Sequence, residues 1–185
     1  MFRKFVAEEQ VSSQSKVKSS AQRAILKKIK DQYESHGLTD ELLEALLPKK
    51  APMVIAKCQN HINLILSGDN EVVFFNQRDG PYYPTLKVLH KVGDIMPKIQ
   101  VDKGAIKHVI QGANIMCQGV TSAGGKVFES LPADTPIQIM AEGKELPLAI
   151  GITKLSTDDI QNVNKGIGIN SIHVLGDGLW TLELD

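Results

Sequence analysis

The sequence is poor in the features that mark secreted and membrane proteins. Its 185 residues contain only two cysteines, Cys58 and Cys117, too few for a disulfide framework, which favours a reducing compartment. The first ten residues include Glu8 and Glu9 but no apolar segment of signal-peptide length. No uncharged apolar run approaches the roughly 18 residues that span a bilayer. We therefore expect a cytoplasmic protein that does not bind a membrane.

Aromatic residues and net charge are scarce as well. Phe, Tyr and Trp make up 5% of the chain, and 21 Lys and Arg balance 21 Asp and Glu. So few aromatic rings disfavour a platform that stacks successive bases of a single strand. The hydrophobic fraction of 42% is ordinary for a globular protein and excludes a disordered or fibrous chain.

The charges that are present are unevenly distributed along the chain. Residues 1–30 hold eight Lys and Arg against two Glu, whereas residues 131–185 hold three Lys against eight Asp and Glu. Two interpretations of the basic start stay open, contact with phosphate-rich RNA and a solvated helix face. The basic residues that we assign to a candidate RNA-binding surface are Lys16, Lys18, Arg23, Lys27 and Lys28.

The first half of the chain predicts two helices followed by a small sheet. Ala21, Ile25, Ile29 and Tyr33 recur at four-residue intervals, the spacing of one helix face, and either of the two preceding serines can cap this helix. Thr39 is the expected N-cap of the second helix. Three runs rich in Val, Ile and Phe follow, "PMVIAKC", "HINLILS" and "EVVFFNQ", with "SGDN" as the turn between the last two.

A helix from Thr85 and the segment "VGDIMPK" at 92–98, which contains Gly and Pro, mark the domain boundary. Beyond it we expect a two-turn helix ended by Gly112, an antiparallel strand pair about "EGKE", a helix capped by Ser156, and two strands around "GDG". The predicted fold class is α+β. A small α/β domain occupies residues 1–94, and a compact, mostly β barrel occupies residues 95–185.

Searches for catalytic and metal-binding motifs find none that is complete. Gly125 and Lys126 are followed by Val127, so the hydroxyl of a Walker phosphate loop is missing. A nucleophile elbow GxSxG is absent, and "GDGLW" lacks the third glycine of a dinucleotide fingerprint. Cys58 and His61 offer only two of the four ligands that a structural zinc ion needs. We expect neither an enzyme, nor a metal, nor a cofactor.

The segment 111–125, "QGANIMCQGVTSAGG", has four glycines and no charged side chain. A glycine-rich loop between a helix and a strand allows a sugar-phosphate chain to approach its backbone amides closely. Lys103, Lys107 and Lys126 would then supply the charge for phosphate contacts. The alternative is a barrel corner whose glycines serve tight turns only.

Longer motifs resemble a known family. The stretches "VDKGAIKHVIQGANIMCQGVTSAGG", "AEGKELPLAIGITKLSTDDIQNVNKGIGI" and "HVLGDGLW" are similar to a PUA domain, an RNA-binding pseudobarrel. With "MFRKF" and "FFNQRDGPYYPTLKVLHK", they resemble the malignant T-cell amplified sequence family over essentially the full chain. The resemblance implies an N-terminal domain peculiar to the family, followed by the PUA domain.

The resemblance also implies a function. Members of this family are translation factors that bind the small ribosomal subunit, through rRNA or tRNA, together with the density-regulated protein, a SUI1-domain partner. They act in release of deacylated tRNA after termination, in subunit recycling and in reinitiation, without catalysis. The alternative is a protein-interaction scaffold that docks its partner and makes no RNA contact. A third possibility, an RNA-modifying enzyme, is disfavoured because the first domain is too short for a typical synthase.

Residues that match the family motif form the candidate RNA-binding site together with Lys103, Lys107 and Lys126. They are Gly104, Gly112, Ala113, Asn114, Gly119, Thr121 and Ser122. Two positions depart from the family, His108 where Phe is common and Gln118 where Pro is usual. Loss of the proline removes a fixed φ angle, which we expect to loosen the turn.

Overall fold

A computed structural model describes residues 1–184 of the chain. These residues form two compact units. The α/β unit consists of Phe5–Ile95 and the C-terminal residues from Leu182, and the β unit consists of Met1–Lys4 and Met96–Thr181. The predicted α+β fold class is confirmed, while the domain boundary at residues 94 and 95 stays a prediction.

The α/β unit is built on a five-stranded antiparallel sheet with the strand order β1-β2-β3-β4-β5. Its strands are β1 (Val11–Lys16), β2 (Val54–Cys58), β3 (Ile62–Leu66), β4 (Val72–Gln77) and β5 (Tyr83–Pro84). Its helices are α1 (Ala7–Gln10), α2 (Ser19–Tyr33), α3 (Asp40–Leu46) and α4 (Leu86–Val92).

Short-range signals identified most of these elements. Thr39 Oγ1 accepts a hydrogen bond from Leu42 N at 3.1 Å, and Thr85 Oγ1 accepts one from Val88 N at 3.3 Å. Both threonines are therefore the N-caps that the sequence predicts, at α3 and α4. The three apolar runs form β2, β3 and β4, with the turn between β3 and β4 where it was expected.

Two expectations about helix α2 were wrong, and one strand of this unit was not expected. The buried face of α2 carries Gln22, Leu26, Ile29 and Tyr33, whereas Ala21 is exposed. Gln22 donates to the carbonyl oxygens of the segment after α3, an interaction that an apolar pattern does not reveal. The residue before α2 is a lysine without a side-chain cap, so neither serine caps this helix. Strand β1 was also missed, because this edge strand is almost wholly exposed and has no apolar alternation.

The β unit is built on a six-stranded sheet with the order β7-β11-β10-β9-β6-β8, in which the β6–β9 pair alone is parallel. Its strands are β6 (Lys98–Val101), β7 (Ile115–Met116), β8 (Lys126–Val127), β9 (Pro136–Ala141), β10 (Ala149–Thr153) and β11 (Ile167–Val174). Its helices are α5 (Ile106–Ile110), α6 (Cys117–Thr121) and α7 (Thr157–Asn162). The predicted pair about "EGKE" is β9 and β10, and Ser156 caps α7 as expected.

Helix α6 closes this sheet into a curl. It contacts β7 and β11 at one end of the sheet and β6 and β8 at the other end. Cys117 and Val120 of this helix belong to the buried core of the unit. The uncharged segment 111–125 is therefore not a continuous loop, because it contains both β7 and α6.

The chain after β11 departs from the predicted pair of strands. The carboxylate of Asp177 accepts hydrogen bonds from the backbone N–H groups of Val174, Leu179 and Trp180 at 2.8 to 3.0 Å. These N–H groups thus bind a side chain rather than a neighbouring strand, and no second strand forms between Leu175 and Leu184. His173 Nδ1 lies 2.8 Å from the same carboxylate, and both side chains are buried.

The first residues of the chain pack in the β unit, which the sequence did not indicate. The Phe2 side chain is fully buried, and its ring meets that of His173 edge to face at 5.9 Å. The Phe2 carbonyl accepts a hydrogen bond from Gly178 N at 2.9 Å. The turn organised by Asp177 therefore also holds the N-terminal segment.

The turn after α6 passes so close to the helix that Gly125 should not tolerate a side chain. A methyl group on Gly125 would lie 2.1 Å from the carbonyl oxygen of Val120, a backbone atom that cannot move aside. We expect Gly125→Ala to lower the free energy of unfolding by about 1 to 3 kcal/mol. Urea unfolding followed by the fluorescence of Trp180, the single tryptophan, measures this loss.

Gly119→Ala is the matched control for that substitution. A methyl group there would meet Ala105 Cβ at 3.6 Å, an ordinary van der Waals contact within the same unit. Its effect should stay within about 0.5 kcal/mol of zero. Equal losses for the two variants would contradict the proposed role of Gly125.

The buried Asp177 predicts a dependence of stability on pH. Burial opposes ionisation of this carboxyl, but the hydrogen bond and charge of His173, with the amides of Val174 and Trp180, outweigh it and lower its pKa. A lowered pKa in the folded state stabilises the protein above the unfolded value of about 3.9, and this stabilisation is lost as the pH falls through the folded pKa.

Asp177→Asn tests this dependence. At pH 7 we expect the substitution to cost about 3 kcal/mol in the free energy of unfolding, because it breaks a buried pair. The difference between the two proteins should shrink as the pH falls below about 3.9, the pKa of the unfolded carboxyl, and through the lower pKa of the folded protein. Asp158→Asn, at an exposed position of the same unit, should cost less than about 0.5 kcal/mol. A difference that is constant from pH 7 to pH 3 would contradict the role of the charge.

Candidate nucleic-acid interface

A cleft of about 480 Å³ opens in the β unit between the segment around α5 and the segment of β7 and α6. Five of the residues that the sequence assigns to RNA binding line it: Gly104, Ala113, Asn114, Gly119 and Ser122. The two departures from the family motif, His108 and Gln118, line it as well. Residues of both segments therefore meet in a single concave surface.

The other predicted residues lie outside the cleft. Lys103 and Lys107 are exposed on the helical segment that forms one wall. Gly112 has a φ angle of +85° and ends α5, as predicted. The Thr121 hydroxyl lies 2.8 Å from Asn164 Oδ1 and 3.2 Å from Cys117 O, so it links α6 to the loop after α7.

Asp102 stabilises one wall of the cleft through its side chain and connects this wall to the other through its backbone. Its side chain accepts from Ala105 N at 2.9 Å and caps the helical turn Lys103–Ala105. Its backbone N–H donates to Gly119 O at 3.0 Å. The wall that carries the lysines is thereby tied directly to α6.

Some polar groups of the side chains that line the cleft already form hydrogen bonds within the protein. Asn114 Oδ1 accepts from Ser171 N at 2.9 Å, which leaves the NH₂ group of Asn114 to donate to a ligand. The Ser122 hydroxyl donates to Gln118 O. That carbonyl also accepts from Ser122 N at 3.0 Å, so two hydrogen bonds close the turn at Gln118. A ligand would meet glycine backbone, amide groups, the exposed His108 and apolar side chains that include the exposed Met116.

Glu142 is a structural residue of this region that the sequence did not indicate. Its Oε2 accepts from the backbone N of Lys103 at 3.2 Å, and a methyl group on Gly124 would lie 2.1 Å from the same oxygen. Gly124 has a φ angle of +96°, and this conformation favours a glycine there, whereas the Glu142 carboxylate is the end of a flexible side chain that can move aside. The pattern "AEGKE" predicts only a turn, which explains why the contact was missed.

The five basic residues assigned to a candidate RNA-binding surface are exposed in the α/β unit. Lys16 lies in β1, Lys18 precedes α2, and Arg23, Lys27 and Lys28 lie on α2. Lys27 forms an ion pair with Asp31 at 2.9 Å, and this hydrogen bond raises the pKa of the lysine. Within residues 1–184, Lys27 is the one member of this group with an ion pair, so most of the positive charge is available for a partner.

The α/β unit has a second cavity, of about 600 Å³, lined by residues that include Lys57, Cys58, His61 and Arg78. Among residues 1–184, no cluster of three or more His, Cys, Asp or Glu could hold a metal ion. Burial raises the pKa of the Cys58 thiol to about 11, which disfavours its reactive thiolate at neutral pH. None of the helices in this range is long and apolar enough to cross a lipid bilayer.

Comparisons with known proteins identify the family. Residues 5–92 match the Pre-PUA-like domain, and residues 97–175 match the PUA domain. The malignant T-cell-amplified sequence 1 homolog of Dictyostelium discoideum is 52% identical, over 97% of this chain and 97% of that protein. Malignant T-cell-amplified sequence 2 of Homo sapiens is 45% identical, over 99% of this chain and 98% of that protein. The chain belongs to the malignant T-cell-amplified sequence family.

A solved structure supports the fold of this family member. A hypothetical protein of the hyperthermophilic archaeon Pyrococcus horikoshii OT3 matches with a TM-score of 0.72 and 21% identity, over 91% of this chain and 98% of that one. The cleft lies within the PUA domain, because all the residues that line it fall between 102 and 122. The predicted family and the predicted order, an α/β domain followed by PUA, are confirmed.

Proposed function

We propose that this member of the malignant T-cell-amplified sequence family is a non-enzymatic, RNA-binding translation factor of the cytoplasm. The observation that carries the proposal is the cleft of the PUA domain. It gathers Gly104, Ala113, Asn114, Gly119 and Ser122 in one surface, and Lys103 and Lys107 lie on the segment that forms one wall. No catalytic constellation is required, since binding and position alone would produce the effect.

Both backbone groups and lysine side chains would bind the RNA. Glycines in the cleft allow a sugar-phosphate chain to approach the amides, and Asn114 adds a side-chain donor. Lys103, Lys107 and Lys126 would neutralise phosphates at its rim and release counterions. The cleft has glycine and amide groups but no large aromatic ring, which suits recognition of structured RNA by its shape and backbone.

The ligand that the family resemblance implies is the small ribosomal subunit, contacted through rRNA or tRNA. We extend the proposal to the density-regulated protein as the SUI1-domain partner. The complex would release deacylated tRNA from post-termination subunits and support recycling and reinitiation. The exposed basic residues of the α/β unit, Lys16, Lys18, Arg23, Lys27 and Lys28, would form a second contact with rRNA.

Charge reversal beside the cleft tests the RNA contact. The double variant Lys103→Glu and Lys107→Glu should weaken sedimentation with isolated small subunits at least about tenfold, and should reduce its dependence on salt. The measurement is co-sedimentation across a salt series, with and without the density-regulated protein. The matched control is Lys154→Glu with Lys165→Glu, two exposed lysines of the same unit that do not line the cleft.

The outcomes separate the proposal from its alternative. Intact subunit binding by the cleft variant in the presence of the partner would favour the protein-interaction scaffold, whose RNA contacts belong to the partner. Equal losses in the cleft variant and the control would indicate a general effect of charge rather than a site. If the wild-type protein fails to bind subunits under every condition, the ribosomal part of the proposal is wrong.

A further inference from the structure

Phe128 is a large aromatic side chain at the surface of the β unit. It follows β8 directly, and 39% of its surface is exposed. The ammonium groups of Lys126 and Lys98 lie 4.7 Å and 5.1 Å from the centre of its ring. The proposed function uses Lys126 for a phosphate contact and leaves the ring and Lys98 without a role.

The position of this ring is fixed by the sheet. Strand β8 is the edge strand, and it pairs with β6 through Ile99↔Val127 and Gln100↔Lys126. The same antiparallel register, continued by one residue, places Phe128 opposite Lys98. Gln100 Nε2 donates to Gly124 O at 2.7 Å and holds the turn that leads into β8. The ring is therefore presented at the sheet edge by backbone pairing.

The contacts of the ring are of a kind that a nucleotide can replace. A cation–π contact at an exposed site is weak, and a lysine ammonium sits on a flexible stem of four carbons. Stacking of a base on an exposed aromatic ring is the stronger interaction. A base that stacks on Phe128 would displace an ammonium, which remains close enough to pair with the adjoining phosphate. One ring with two lysines thus provides the groups that a single unpaired nucleotide needs.

This surface is close to the cleft. Ser122, which lines the cleft, and Phe128 are six positions apart in the chain, so the two lie within about 20 Å of each other. A few nucleotides of extended RNA cover that distance. An RNA whose backbone occupies the cleft can therefore reach the ring with an unpaired residue.

We propose that Phe128, Lys98 and Lys126 form a stacking site for one unpaired nucleotide of a bound RNA. This inference rests on the proposed function and deepens it, because it adds a single-stranded segment to the structured RNA that the cleft holds. The site takes any base, since it offers a ring face and two cations but no defined set of donors and acceptors.

The test compares single-stranded with double-stranded RNA on the full-length chain. Fluorescence anisotropy would measure the binding of a labelled ten-nucleotide single strand and of a blunt duplex of the same length, each across a salt series. Phe128→Leu keeps an apolar side chain and removes the ring. It should weaken binding of the single strand about tenfold without a change in the salt slope, and leave binding of the duplex unchanged.

The lysines and a control variant complete the design. Lys98→Ala and Lys126→Ala should each reduce the salt slope for the single strand by about 0.7, because each removes one phosphate contact. Phe128→Trp should retain or strengthen binding of the single strand. Leu146→Ala, at an apolar position of the same unit that is 50% exposed, should bind both RNAs as the wild type does.

Three outcomes would contradict the proposed stacking site at Phe128. Equal weakening of both RNAs by Phe128→Leu would assign the ring a structural role and overturn this inference. Binding of both RNAs that is unaffected by Phe128→Leu would overturn this inference alone and leave the proposed function intact. A wild-type protein that binds neither RNA at low salt would overturn the inference and the RNA contact of the proposed function together.

Discussion

The packing of helix α6 between the two ends of the PUA sheet is the constraint on which the rest of this domain depends. The sheet has two edge strands, β7 and β8, and α6 contacts both. Its buried side chains, Cys117 and Val120, complete the core that the sheet surrounds. Gly168 of β11 makes room for this packing, because a methyl group there would lie 3.2 Å from Cys117 Sγ. The cleft exists because the same helix forms one of its walls.

This constraint explains why the segment 111–125 has no charged residue and four glycines. The turn after α6 passes so close to the helix that Gly125 meets backbone atoms, and Gly124 meets the carboxylate of Glu142. The segment therefore supplies shape and backbone donors, while the positive charge lies on the flanking elements that carry Lys103, Lys107 and Lys126. The sequence left two interpretations of this segment open, an RNA-binding loop and a structural corner. The two are compatible here, since tight packing is what creates the concave surface.

Local signals in the sequence were reliable, whereas contacts between distant residues were not visible. Thr39, Thr85 and Ser156 cap helices because a cap depends only on the next few residues. Gln22 and Glu142 were missed because each binds backbone groups of a distant segment, and no periodic pattern records such a bond. The role of Asp177 was missed although its backbone partners lie two or three residues away, because "GDG" was interpreted as a turn between two strands. The lining residues of the cleft came from the family resemblance, and the lysines came from their charge. Neither source distinguished Ser122, which lines the cleft, from Thr121, which links two elements of the fold.

Two polar side chains, His108 and Gln118, contribute to the chemistry of the cleft. They place an imidazole and an amide among its lining residues. Helix α6 is still closed, because the Gln118 carbonyl accepts from both the amide and the hydroxyl of Ser122. The cleft has no large aromatic ring. Among residues 1–184, Phe128 is the one large aromatic side chain that is well exposed to solvent. In the proposed mode of binding, the RNA backbone would lie in the cleft and a base would stack at the sheet edge.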